Sequence, residues 1–236
     1  MSSPSAFSPP HPAVWRGNQL MTPPDRCVDT GHPALTPHLP GGGWPLGSLI
    51  DLLPARAGIG ELQLLRPALL AQGARPIAMI APPHVPQFAA WRAWEGAPSS
   101  LLWLRPRCHA DALWAAEQIL RSGTFGAVLL WQDAVRVPLL RRLHLSAQCG
   151  DTLFAVFRPI SAAAQPCPAP LRLCLHPAPR GLKAVILKRR GSPINDPIFL
   201  PLHSDTRLPD SPHHVPVARH SSLAYQPGPA VSRLAN

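Results

Sequence analysis

Between residues 48 and 157 the chain repeats one pattern, a short apolar run followed by a stretch long enough for a helix. The runs at 48–53, 77–81, 101–104, 127–131 and 153–157 are apolar at successive rather than alternate positions. That marks strands buried on both faces. The intervening segments 61–72, 86–94, 109–121 and 137–148 read as helices, the third with Leu113, Ala116 and Leu120 on one side. Two-sided strands alternating with helices predict an α/β fold: a mostly parallel central sheet flanked by helices. Beyond Arg158 the helices stop, and runs at 171–176, 182–188 and 198–202 follow one another across Pro/Gly turns. These predict antiparallel strands added to one edge of the sheet near the C-terminus.

Composition sharpens the boundaries. Of 33 prolines only 9 fall in residues 51–158, so the flanks must be loop-rich. Residues 1–12, Ser/Pro-rich, and 204–236, Pro/His-rich, read as disordered tails around a domain spanning 13–203, with a short helix at 13–20 before Pro23-Pro24. The formal charge is +10, yet Lys183 and Lys188 are the only lysines among 22 basic residues. Part of the charge is therefore arginine-rich composition, and the remainder favours polyanions or acidic proteins. Five cysteines without a C-x-x-C pair indicate neither a disulfide framework nor a zinc site, and fit a reducing cytoplasm. No run approaches the roughly 18 apolar residues of a membrane span, and no leader pattern opens the chain, so no membrane partner is expected.

The turn after the first strand is where nucleotide-binding α/β proteins place a phosphate loop. Gly58 and Gly60 supply its glycines, but Glu61 and Leu62 stand where a working loop needs Lys and Ser/Thr. A carboxylate there opposes a triphosphate and Leu62 offers magnesium no ligand, so the loop reads as degenerate, a tight turn with Glu61 favourably placed at a helix N-terminus. Neither a cofactor nor a metal is expected, and no catalytic residue is assigned. Asp133 comes two residues after the strand end where a magnesium-binding acid would stand, and reads as a solvated loop acid. No G-x-S-x-G elbow or helical H-x-x-x-H occurs, and His213-His214 is the one adjacent histidine pair. Trp91 and Trp94, three apart, read as core. Two basic clusters remain as partner or nucleic-acid contacts: Arg141-Arg142 within a helix, and Lys188-Arg189-Arg190 at a strand end before Gly191, a compact candidate anion site.

Taken in order, these segments resemble the ImuA family, RecA-like and SulA-like proteins associated with bacterial translesion synthesis. The resemblance spans about 14–202 and rests on Thr30-Gly31-His32-Pro33-Ala34-Leu35, Leu39-Pro40-Gly41-Gly42-Gly43-Trp44-Pro45, Gly58-Ile59-Gly60-Glu61, Ala81-Pro82-Pro83-His84, Leu113-Trp114-Ala115-Ala116-Glu117, Ala127–Trp131, Arg141-Arg142-Leu143 and Lys188-Arg189-Arg190-Gly191. Where the family lead continues with Asp, Leu35 is followed here by Thr36. The resemblance implies a RecA-like fold without an ATP site, and a non-catalytic adaptor in SOS-induced error-prone DNA synthesis. It implies as partners an ImuB-type Y-family polymerase-like protein, an error-prone replicative-type polymerase and RecA, in the cytoplasm and at the nucleoid after DNA damage. It also implies that Lys188, Arg189 and Arg190 match the strand end through which RecA reaches the ATP of a neighbouring filament subunit. Alternatives are a SulA-like cell-division inhibitor and a weak ATPase with a degenerate loop. Weak direct DNA binding is a further alternative at the arginines.

Overall fold

The computed structural model describes residues 26–94, 96, 100–194 and 196–202, all within one compact unit. The expected tails at 1–12 and 204–236, the helix at 13–20 and His213-His214 lie outside the described residues. The described residues form ten strands: β1 Cys27–Asp29, β2 Gly43–Pro45, β3 Ser48–Pro54, β4 Ile77–Ile80, β5 Leu101–Leu104, β6 Ala127–Trp131, β7 Leu153–Phe157, β8 Leu171–Ala178, β9 Gly181–Lys188 and β10 Ile198–Pro201. Four α-helices accompany them among the described residues: α1 Glu61–Leu70, α2 Phe88–Arg92, α3 His109–Ser122 and α4 Val137–Ala147.

Eight strands make one sheet in the order β10-β9-β8-β3-β7-β6-β4-β5. From β8 to β5 all neighbours run parallel. β9 is antiparallel to both β8 and β10. The late strands thus join the predicted edge with one refinement: β8 pairs with β3 in parallel, and antiparallel pairing begins at β9. A 3-10 turn, Ile160–Ala164, takes the place of a helix in the crossover from β7 to β8.

Alternation along the strands divides the core. Ile50, Leu52, Ile77, Met79, Leu129 and Phe157 face α1 and α2, where Leu64, Leu65, Leu69 and Trp91 cover them. Leu49, Ala78, Ile80, Val128, Leu130 and Phe154 face α3 and α4, against Ala112, Ala116, Leu120, Leu140 and Leu143. Helices on both faces remove every central strand from water, which is what the two-sided apolar runs require. The helix expected at 86–94 is confined to the five residues Phe88–Arg92, with Pro86 just ahead of its N-cap Gln87.

The glycine-rich lead is more ordered than its composition suggests. β1 and β2 pair antiparallel, and Leu35 and Trp44 are fully buried. Gly31, at φ 69°, packs so tightly on Pro67 of α1 that a Cβ there would meet the ring at 2.2 Å. Thr36 holds the same turn: its hydroxyl lies 2.6 Å from the Thr30 hydroxyl and donates to the His32 carbonyl at 3.1 Å.

Candidate functional site

In open α/β sheets, ligands bind beyond the carboxyl ends of the strands, where neighbouring connections leave toward opposite faces. Here β3 is followed by α1 on one face, whereas its neighbour β7 is followed by the 3-10 turn that packs with Leu53 and Cys174 on the other. Two clefts open at this edge. One, about 420 Å³, is lined by Arg56, Arg107, His109, Gln132 and Arg158 among others. The second, about 430 Å³, is bordered by the Gly58–Glu61 loop, His84, Trp91 and Trp94.

The wall between them is Trp131, which lines both clefts and stacks on Phe157 with ring centroids 4.5 Å apart. It occupies the carboxyl end of β6, so an indole stands between the clefts at the strand end where the sequence pattern pointed to an acid. Asp133 is exposed on the loop beyond. His109 Nδ1–H donates to the buried Gln132 Oε1 at 2.7 Å across the first cleft.

The loop itself is closed by its own side chain. Gly58 and Gly60 take φ of 79° and 113°, left-handed values that glycine adopts freely. Their amides converge, as in a phosphate-cradling loop, and Glu61 turns back to accept both: Gly58 N–H to Oε1 at 2.9 Å and Gly60 N–H to Oε2 at 3.2 Å. Glu61 is 4% exposed. The donors and the positive end of α1 that would serve an anion are therefore already met by an internal carboxylate. Leu62 is half-buried against the core and presents no oxygen. Gly60 also lies against Leu202, whose Cδ1 would be 2.5 Å from an added Cβ.

The basic clusters lie elsewhere. β9 runs opposite to its neighbours, and Lys188 pairs with Arg172 near the start of β8, so Lys188, Arg189 and Arg190 sit at the sheet edge opposite the loop. The three do not converge on one site. Lys188 Nζ donates to the Cys167 carbonyl at 3.1 Å; Arg189 donates to the carbonyls of Ser192 and His38 at 2.7 and 2.6 Å; Arg190 borders a small cleft with Pro40, Pro45 and Leu171. Arg189 thus ties the strand end to the lead. Nearby, His144 accepts the Leu49 amide at Nδ1, and burial, with the charges of Arg190 and Lys188 second, holds its pKa below the usual histidine range.

Arg141 and Arg142 are exposed on α4. Arg142 and Arg121 of α3 both pair with Glu117, which is almost wholly buried between the two helices. The hydrogen bond from Arg142 leads the effects that hold the Glu117 carboxyl below its ordinary pKa. No group of three or more His, Cys, Asp or Glu side chains suited to a metal occurs among the described residues.

One cluster was not anticipated. Asp51, in the middle of β3, accepts Arg158 at both oxygens (2.9 and 2.7 Å) and Arg172 Nε at 2.8 Å. All three are buried, and Arg172 also donates to the Ala162 carbonyl at 3.0 Å. A lone acid inside an apolar strand was the available signal, because such a charge is almost never buried unpaired. No helix of the described residues is long and apolar enough to cross a membrane. No protein-family model matches the chain, and no curated protein matches it.

Proposed function

We propose that this chain is a RecA-like domain that has given up nucleotide chemistry and works by binding, as an adaptor in SOS-induced error-prone translesion synthesis. One observation carries the reading: the amides of Gly58 and Gly60 are taken by Glu61. A loop whose frame survives while its donors are internally satisfied has the architecture of a phosphate site without its use. The sheet supports the same reading, since β3, its first strand, lies inside the sheet with the loop at the crevice. Trp131, stacked on Phe157 at the end of β6, supports the same reading, because an indole offers a magnesium ion no oxygen ligand there.

The partners follow from the resemblance and not from the fold, which by itself assigns no function. They are RecA, an ImuB-type Y-family polymerase-like protein and an error-prone replicative-type polymerase. Lys188 and Arg190, at the edge opposite the loop, are the cations available to reach a RecA neighbour, whereas Arg189 also serves the fold. Binding of labelled ATP with magnesium tests the first half: the natural chain is expected to bind none at micromolar concentration, and micromolar binding would favour the ATPase alternative. Charge reversal at Lys188 and Arg190 tests the second half, with loss of binding to RecA filaments expected and unchanged binding refuting it.

A further inference from the structure

The outer face of α3 and α4 carries a combination the fold does not need. Pro138, Arg141, Arg142, Leu145 and Cys149 lie three, four, seven and eleven residues along from the first, so they form one stripe on the solvent side of α4 and into the turn beyond it. With Arg121 of α3 they line an open groove of about 370 Å³. Leu145 is 63% exposed in its centre. Trp114, also 63% exposed, stands seven residues before Arg121, two turns away on the same side of α3. Three guanidinium groups and two large apolar side chains therefore share one face.

The charge is unbalanced. Glu117 pairs with Arg121 and Arg142, and Arg141 takes part in none of the ion pairs among the described residues. Three cations against one nearly buried carboxylate leave a basic rim around an apolar centre. Arg and Trp are the side chains in which protein-binding hot spots are enriched, and Leu145 adds apolar surface between them. A nucleic-acid backbone would answer the arginines, and a base could stack on Trp114, but a phosphate backbone along the groove offers Leu145 no apolar partner.

We infer that the α3–α4 face is a docking groove for an acidic protein segment that places an aliphatic or aromatic anchor against Leu145, with its carboxylates on Arg141 and the rim of Arg121 and Arg142. The inference rests on the reading of the chain as a binding protein, and it names the surface and the chemistry of the partner segment.

The test is selection from a random dodecapeptide phage library on the full chain, with counter-selection on a Leu145→Glu chain. Arg141→Glu and Leu145→Ser are then titrated with a synthetic selected peptide. Both positions are exposed and bear no fold-holding ion pair, and circular dichroism with unchanged thermal midpoints establishes that the variants are folded. The expected result is enrichment of peptides bearing several Asp or Glu around one Leu, Phe or Trp, and at least tenfold weaker binding by each variant. No enrichment that depends on Leu145, or enrichment of neutral or basic peptides, overturns the inference. So does a twenty-nucleotide oligothymidine that displaces the peptide and loses affinity in Arg141→Glu but not in Leu145→Ser, which marks a nucleic-acid surface. The selection uses neither RecA nor a polymerase. A groove that selects acidic peptides in a protein whose deletion leaves damage-induced mutagenesis unchanged would refute the adaptor role and leave the groove standing.

Discussion

Replacing Glu61 by Ala should both destabilise the protein and uncover a latent anion site. Two backbone amides now donate to one ionised carboxylate at 2.9 and 3.2 Å. Hydrogen bonds to charged groups contribute about 1.5–3 kcal/mol each, but Gly58 is exposed and water can replace part of this, so about 1 kcal/mol apiece is the better figure. The charge at the N-terminus of α1 adds roughly 0.5 kcal/mol. A loss near 2.5 kcal/mol lowers the melting temperature of a domain this size by about 5–10 °C. Glu61→Gln, which keeps one carbonyl acceptor and loses the charge, should fall between. The diagnostic step is to repeat the melts with inorganic phosphate or sulfate. In Glu61→Ala the freed amides can take an oxyanion, and at ten times its Kd this restores about 1.4 kcal/mol. The natural chain should gain nothing at the same concentration. Equal stabilisation of both proteins by phosphate, or a Glu61→Ala chain as stable as the natural one, would refute the assignment of Glu61 as the internal occupant of the loop.

Three further outcomes are expected. Asp51→Asn leaves two buried guanidinium groups facing a neutral amide and should cost about 3–5 kcal/mol in urea unfolding, whereas replacing Asp51, Arg158 and Arg172 together by apolar residues should recover most of that loss. His144 is held neutral in the fold, so below its unfolded pKa of about 6.5 the unfolded chain binds more protons than the folded one. Stability should therefore be full above that pH and decline as pH falls from there toward the lower folded value, with a flatter profile in His144→Gln. Arg180, at φ 59° in the two-residue turn between β8 and β9, occupies a left-handed position suited to Gly or Asn. Arg180→Gly should raise the urea midpoint by an equivalent of about 0.5–1 kcal/mol, and a lower midpoint would mean that the Arg side chain contributes contacts outweighing the strain.

The central sheet was legible because its strands are apolar on both faces, a signal that survives without neighbours. β1 and β2 were not, since three-residue strands across a glycine-rich lead carry no period and exist only through their pairing, Val28 with Trp44. The parallel attachment of β8 escaped for a related reason: a 3-10 turn carries the crossover, and it has too few residues to register as a helix. At the site, the types at 61 and 62 disclosed what the loop lacks, but not that the carboxylate folds back onto the amides, which depends on a side-chain rotation. Trp131 was visible as a strand end and not as a plug, because its stacking partner Phe157 lies 26 residues on, across the β6–β7 pairing. Asp51 finds its partners 107 and 121 residues away, distances at which no local pattern speaks.

The carboxylate in the loop and the indole beside it also bear on where this sequence can go. A lysine at 61 alone would strip both amides of their acceptor while Trp131 still stood at the end of β6, where a magnesium ligand would be needed. An acid at 131 alone would forfeit the stacking on Phe157 and add a second carboxylate to the cleft that Glu61 already borders. Each single step toward a triphosphate site thus begins with lost stability, which a bound oxyanion offsets only in part at 61, and folded proteins have little stability to spare. The two side chains act together as a barrier: a phosphate site at this edge of the sheet requires several changes at once and is not reached by a single substitution.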